Sequence, residues 1–276
     1  MTRRPLLLDF LPDRVAVAAW AYLFRGRVKD CAALYSAAPL RHARHIRMDL
    51  LPGDVISDCI AFTGVHEPDL TRRVVELAKA GGTMVEIGAN LGYFTLLWAG
   101  LRDDNRCVAV EASPRNVALL QTNIAANKLD ARVQLIPCAA GRAAGSLRFD
   151  PGPADQTGWG GFAPAGSTGI DVDVIRVDTV VPSTTPIALL KVDIEGADAW
   201  ALEGCDALLK SGAVREVWFE QNKPRMEALG IPVDAAQTYL RSVGYETTPQ
   251  SDPNAPLVEW SAVPVRRGSA STSASR

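Results

Sequence analysis

Four acids and one histidine sit where this chain could do chemistry. Glu86 lies two residues ahead of a glycine, inside the apolar run Thr83 to Ile87. Glu111 closes the run Cys107 to Val110, Asp193 closes Ile187 to Val192, and Glu220 closes Val214 to Phe219. His66 stands just before Glu67, Pro68 and Asp69. A carboxylate at the tip of a buried strand can accept bonds from ligand hydroxyls or take a proton, and two of them can hold Mg²⁺ through oxygen. A histidine, with an unperturbed pKa of about 6.5, suits proton transfer near neutrality. Asp193, Glu220 and His66 are therefore the catalytic candidates, and Asp193 with Glu220 is the candidate metal pair. Asn222, two residues beyond Glu220, is a further polar candidate.

These groups need a scaffold that brings strand ends together. Residues 83–92 read as a strand, a turn with Gly88 and Gly92 four residues apart, and a helix start continuing through Phe94, Leu97 and Leu101. The glycines let the backbone turn and a flat ligand approach, and the amides opening the helix face a polar group. The pattern is not a dinucleotide fingerprint, because Asn90 occupies the place of its middle glycine, which argues against a nicotinamide oxidoreductase. Glu86 beside the turn would repel a diphosphate and favours a cationic ligand. Glu111, 23 residues after Gly88, has the spacing of a ribose-binding acid. Together these point to S-adenosylmethionine.

The rest of the chain alternates strands and helices. Helices are expected over Asp13 to Phe24, Pro68 to Lys79, Pro114 to Lys128 with Ser113 as N-cap, Ala197 to Leu209 and Gln237 to Val243. Strands are expected at Ile46–Leu51, Arg132–Pro137, Ile187–Asp193, Val214–Glu220, Gly244–Thr248 and Leu257–Val263. Ala139, in the small-residue stretch Cys138 to Gly141, is placed to cover a flat base. Arg41, His42, Arg44, His45 and Arg47 read as a solvated edge, or else as a contact for an acidic substrate. Between Gly141 and Pro186 the rhythm breaks into two added strands, Ser146–Phe149 and Ile170–Val177, joined by a glycine-rich loop. In that loop Trp159 and Phe162 suit a lid, with plain disorder as the alternative. The fold class is α/β: a Rossmann-like, doubly wound, mostly parallel seven-stranded sheet with an N-terminal helical extension and an inserted strand pair and loop. The division expected is an N-terminal extension over 1–62, a nucleotide-binding domain over 63–265 and a disordered tail over 266–276.

Composition narrows the partners. A formal charge of -2 and a pI near 6.0 disfavour a dedicated nucleic-acid binder. No apolar run reaches the roughly 18 residues that spanning a membrane requires. The five cysteines, at 31, 59, 107, 138 and 205, form no CxxC pair and no zinc pattern with the three histidines, as in a reduced, cytoplasmic protein. Self-association into a homo-oligomer is compatible with the sequence.

The chain resembles the FkbM-family methyltransferases, a branch of the class I S-adenosylmethionine-dependent enzymes, over roughly residues 45 to 250. The resemblance rests on Gly64 to Pro68, Val85 to Thr95, Val110 to Pro114 followed by Asn116, the helix Leu120 to Leu129, and Leu190 to Gly196. It implies that Glu86, Gly88, Asn90, Gly92, Tyr93 and Thr95 surround the methionine part of the cofactor. It further implies that Glu111 holds the ribose with Ala112, Ser113 and Asn116 close by, and that Asp193 faces sulfonium and acceptor. The activity implied is O-methylation of a hydroxyl on a sugar or secondary metabolite, as in natural-product biosynthesis. N-methylation, or a cofactor-binding module without catalysis, is the alternative. A divalent ion such as Mg²⁺ would assist an alcohol nucleophile.

Overall fold

The computed structural model describes residues 4–26, 31–164 and 166–265. The tail expected to be disordered, 266–276, lies outside the described residues. The chain begins with α1 (Leu6–Phe10), α2 (Asp13–Leu23) and the two-residue antiparallel strands β1 (Ala38–Pro39) and β2 (Arg47–Met48). Then come α3 (Val55–Thr63) and α4 (Pro68–Ala80). In α4 Pro68 occupies the first turn and Leu70, Val74, Val75, Leu77 and Ala78 form the buried stripe. The central α/β core follows with β3 (Thr83–Ile87), α5 (Tyr93–Leu101), β4 (Arg106–Val110), α6 (Pro114–Ala126) and β5 (Val133–Ile136).

An insertion intervenes, with β6 (Ala139–Ala140), β7 (Gly145–Asp150), β8 (Gly161–Phe162) and β9 (Ile170–Ile175) ordered β6-β9-β7-β8 in a small sheet of their own. The chain returns through β10 (Ile187–Val192), α7 (Asp198–Glu203), α8 (Asp206–Lys210) and β11 (Val217–Asn222). It finishes with α9 (Lys223–Ala228), α10 (Ala235–Ser242), β12 (Tyr245–Pro249) and β13 (Leu257–Pro264).

The main sheet has seven strands in the order β12-β13-β11-β10-β3-β4-β5. Five run parallel, and β13 and β12 add antiparallel pairs at one edge. Every residue of β10 is buried, as a central parallel strand covered on both faces requires. The chain winds outward from β3 through β4 to β5 and then jumps back to β10 on the other side of β3. The carboxyl ends of β3, β4 and β10 therefore surround a switch-point crevice. One face of the sheet packs Met84, Leu189 and Trp218 against the N-terminal helices, α4 and α5. The other packs Val85, Ile87, Leu190 and Phe219 against α7, α8 and α10.

The structure departs from the sequence reading in several places. Helices α1, α3 and α9 fall where no helix is expected, and the insertion pairs four strands rather than two. The single helix expected over Ala197 to Leu209 is two, broken at Gly204, where a Cβ would lie 2.2 Å from the Gly141 carbonyl oxygen. The basic cluster is not a solvated edge throughout. Arg41 donates to the carbonyls of Leu8, Leu11 and Thr63, His42 pairs with Asp13 at 2.6 Å, and the His45 ring meets the Gly100 carbonyl at 2.9 Å, so these side chains tie the N-terminal helices to the core. Finally, Ser113 sits at the N-cap of α6 without a side-chain bond to it. Among the described residues no helix is long and apolar enough to cross a membrane, and Cys31, Cys59, Cys107, Cys138 and Cys205 are all free thiols.

Candidate active site

The turn after β3 is held by backbone. The Gly88 and Ala89 amides donate to the Val110 carbonyl at 2.9 and 3.1 Å, and the Asp193 amide donates to the Ile87 carbonyl at 3.0 Å, so the three strand ends are pinned together. Gly88 has φ +84, and a Cβ there would lie 1.9 Å from the Asp193 carbonyl oxygen. The glycine is thus demanded first by the approach of β10 and only second by a ligand. Asn90 also has positive φ, at +50, which Asn tolerates better than most residues. Its amide donates to Glu111 Oε2 at 2.7 Å, while the Ser113 amide donates to Oε1 at 2.8 Å. Burial raises the Glu111 carboxyl above its usual value, and these amides oppose that rise. The Asn90 Oδ1 is buried and unpartnered among the described residues.

Around the carboxyl end of β10 the side chains are charged and close. Lys191, buried in β10, places Nζ 3.0 Å from Asp193 Oδ2, 4.0 Å from Glu86 Oε1 and 5.2 Å from the centre of the Phe94 ring. Burial raises Glu86 to about 7, even though Lys191 and a hydrogen bond from Thr95 pull it back. The His66 ring places Nε2 3.2 Å from Glu67 Oε1. Glu67 has φ +44 at the N-cap of α4. Burial works against its charge, yet His66 and Lys191 outweigh burial and hold the carboxyl below its usual value. Glu195 is raised to about 7 by burial and by Asp193, against Arg225 and a hydrogen bond from Asn222. Glu220 is raised further, by burial and by Asp193, Asp198, Glu195 and Glu259, toward its neutral form.

The glycine-rich segment forms a wall tied at both ends. Buried Asp54 caps α3 by accepting from the Ser57 amide at 2.8 Å, and it accepts from both the amide (2.8 Å) and hydroxyl (3.0 Å) of Thr157. Asn116 donates to the Thr157 carbonyl at 3.0 Å, and Arg225 donates to the Trp159 carbonyl at 2.8 Å. The segment carries a 3-10 turn over Thr157–Trp159 before β8, so it has defined structure where disorder was the alternative. With Ile56 and Ile60 of α3 it closes a cavity of about 200 Å³.

That cavity gathers most of the residues singled out from sequence: His66, Glu86, Gly88, Asn90, Tyr93, Glu111, Ala112, Asn116, Ala139, Asp193 and Glu220 all line it. Gly92, Thr95 and Ser113 do not. Gly92, φ +92, starts α5 and packs on Leu120, where a Cβ would come within 2.3 Å of Cδ1. Thr95 is fully buried behind Glu86. Ser113 serves Glu111 through its amide.

The expected metal pair does not fit a divalent ion. One oxygen of Asp193 is engaged by the Lys191 ammonium, which stands where a cation would, and no group of three or more His, Cys, Asp or Glu among the described residues is arranged to hold a metal. Sequence reasoning missed Glu67, Lys191, Glu195 and Thr157. Lys191 and Glu195 were within reach, since both stand in the same short motif as Asp193.

A family model described as the methyltransferase FkbM domain matches residues 86–247. Among solved structures the chain is similar to an O-methyltransferase from Bacillus cereus in complex with S-adenosylhomocysteine, at 14% identity, TM-score 0.45 and coverage of 73% of this chain and 83% of that one. It is similar to an S-adenosylhomocysteine-bound methyltransferase from Podospora anserina at 16% identity and TM-score 0.41, covering 71% and 79%. A precorrin-6y C5,15-methyltransferase from Geobacter metallireducens aligns at 13% identity and TM-score 0.41, covering 72% and 90%. No curated protein matches.

Proposed function

Because the chain belongs to the methyltransferase FkbM-domain family, we propose that it transfers a methyl group from S-adenosylmethionine to a hydroxyl oxygen of a sugar or secondary-metabolite acceptor. The observation that carries this reading is the charge of the cavity at the glycine turn. Its lining has six carboxyl side chains, Glu67, Glu86, Glu111, Asp193, Glu195 and Glu220, of which Glu67 is held ionised and Glu220 is pushed toward its neutral form, against Lys191 alone among lysines and arginines. Such a site attracts a cation and repels a pyrophosphate. The residues fit the donor in two further ways: Glu111 keeps lone pairs for ribose hydroxyls beyond those engaged by Asn90 and Ser113, and Asn90 offers a buried oxygen in want of a donor.

Bound there, the donor would supply a methyl group on a positively charged sulfur, open to in-line attack. The task left to the protein is to align the acceptor oxygen and remove its proton. His66 takes that proton. Its Nε2 lies 3.2 Å from Glu67 Oε1, so the ionised Glu67 stabilises the imidazolium that forms when the other ring nitrogen takes the proton. Asp193, oriented by Lys191, accepts a hydrogen bond from the acceptor hydroxyl and keeps negative charge near the cationic donor. Tyr93 and Phe94 pack on the His66 ring, at 6.0 and 6.1 Å between centres, and hold it in place. The wall from Thr157 to Phe162 limits water access to the reacting oxygen.

An amine acceptor is the second reading, favoured by the same excess of carboxyl groups. Turnover of methyl-labelled donor against a panel of sugars, hydroxylated metabolites and amines separates the two, with mass spectrometry locating the methyl group. Label on oxygen supports the first reading and label on nitrogen the second. Donor binding without turnover on any acceptor would favour a non-catalytic module.

A further inference from the structure

Lys191 is a charged residue at the middle of the sheet. It is 2% exposed, lies in register with Glu86 on β3 and Trp218 on β11, and faces the cavity. The groups around its ammonium come from several elements: Asp193 from just past the end of its own strand, Glu86 from β3, Glu67 from the start of α4 and the ring of Phe94 from α5. Glu259 of β13 feels the same charge. Burial opposes the ammonium, but Asp193, Glu86 and Glu67 together keep it protonated. Buried ion pairs add little net stability over an apolar pair of the same volume, so packing alone gives no reason for lysine here.

We propose that Lys191 is a positioning residue of the methyl-transfer site: its ammonium orients Asp193 and keeps Glu86 available as a carboxylate, so that the donor end of the cavity binds a cationic ligand at neutral pH. This rests on the reading of the cavity as a donor site. Glu86 faces Lys191, Thr95, Asp193, Glu111 and the Cys107 thiol, and of these only Lys191 is a cation. Removing the ammonium leaves the buried Glu86 carboxyl to be neutralised by a proton instead. The lysine thus links donor affinity to pH.

The test uses the ligand-free protein first. Carboxyl ¹³C NMR of glutamate-labelled protein, with the Glu86 signal assigned through Glu86→Gln, follows its titration in the wild type, Lys191→Arg and Lys191→Met. The expected result is a Glu86 midpoint near 7 in the wild type, little change in Lys191→Arg, and a rise of at least about one pH unit in Lys191→Met. S-adenosylmethionine titrated calorimetrically at pH 7 should bind Lys191→Met at least about tenfold more weakly, with affinity recovering as pH rises. If Lys191→Met does not fold, Lys191→Gln carries the same measurements. A lysine with a purely structural role would lower the melting temperature and leave the Glu86 midpoint in place, and that result overturns the proposal. Failure of the wild type to bind donor would refute the methyl-transfer reading, while the Glu86 titration would still decide whether Lys191 sets the charge of this site.

Discussion

Replacing Gly88 by alanine adds one methyl group where β3, β4 and β10 converge, and the structure sets its cost. The residue has φ +84, which a side chain makes unfavourable by about 1–2 kcal/mol. The new Cβ would lie 1.9 Å from the Asp193 carbonyl oxygen, whereas ordinary contact begins near 3.4 Å, so one strand end has to retreat by about 1.5 Å. Forcing a packed region apart in this way costs about 1–3 kcal/mol more. The expected total, about 2–5 kcal/mol, is a large part of the 5–15 kcal/mol that holds a typical domain. Gly212 is the control, because it has φ +75 with nothing within 4 Å of an added Cβ, so Gly212→Ala should show the conformational part alone. Urea unfolding followed by circular dichroism measures both. A Gly88→Ala protein within about 0.5 kcal/mol of Gly212→Ala would refute the reasoning that strand approach, rather than ligand access, requires this glycine.

Other expectations follow from the same geometry. Glu111→Ala leaves the Asn90 and Ser113 amides without their acceptor and should weaken donor binding by about 1–3 kcal/mol; an unchanged dissociation constant would remove Glu111 from the donor site. Asp54→Ala strips the acceptor shared by Ser57 and Thr157, so limited proteolysis should cut within residues 151–162 faster than in the wild type, and an unaltered cleavage rate would show that the wall is held by other contacts. Glu86 has a folded value of about 7, above its unfolded 4.5, so the folded state binds the extra proton in that window. Its stabilising contribution is full below pH 4.5 and is lost as pH rises through 7, a loss of about 3 kcal/mol. Thermal melts of Glu86→Gln should therefore depend less on pH between 5 and 8 than those of the wild type, and equal slopes would sink the assignment.

Much of this architecture is legible in the residues. The apolar runs ending in Ile87, Val110 and Val192 announce strands, and the glycines at 88 and 92 with Glu111 downstream announce a crevice at the strand ends, because both signals are local in sequence. What escapes notice depends on contacts between distant segments. Helix α3 buries Ser57, Asp58 and Thr63 along with its apolar residues, so it lacks the polar face that marks an amphipathic helix, and only Tyr35 and Gly53, bonded to Asp58, explain that acid. Glu67 looks like an ordinary acid at the positive end of a helix. Its positive φ, invisible in the sequence, accompanies its place beside His66 in the cavity. Thr157 lies in a stretch whose glycines read as a flexible lid, while the tie to Asp54 spans 103 residues and leaves no local trace. The metal expectation fails for the same kind of reason, since Lys191 sits inside an apolar run and its approach to Asp193 becomes plain only when the side chains are placed.

Equilibrium binding of S-adenosylmethionine, S-adenosylhomocysteine and NAD to the wild type and to Glu111→Ala, by calorimetry at pH 7, tests the central claim most directly. The account predicts saturable binding of the first two ligands, a loss of about tenfold or more in Glu111→Ala, and no binding of NAD. Binding of NAD in preference to S-adenosylmethionine, or affinity for S-adenosylmethionine that ignores Glu111, would contradict it.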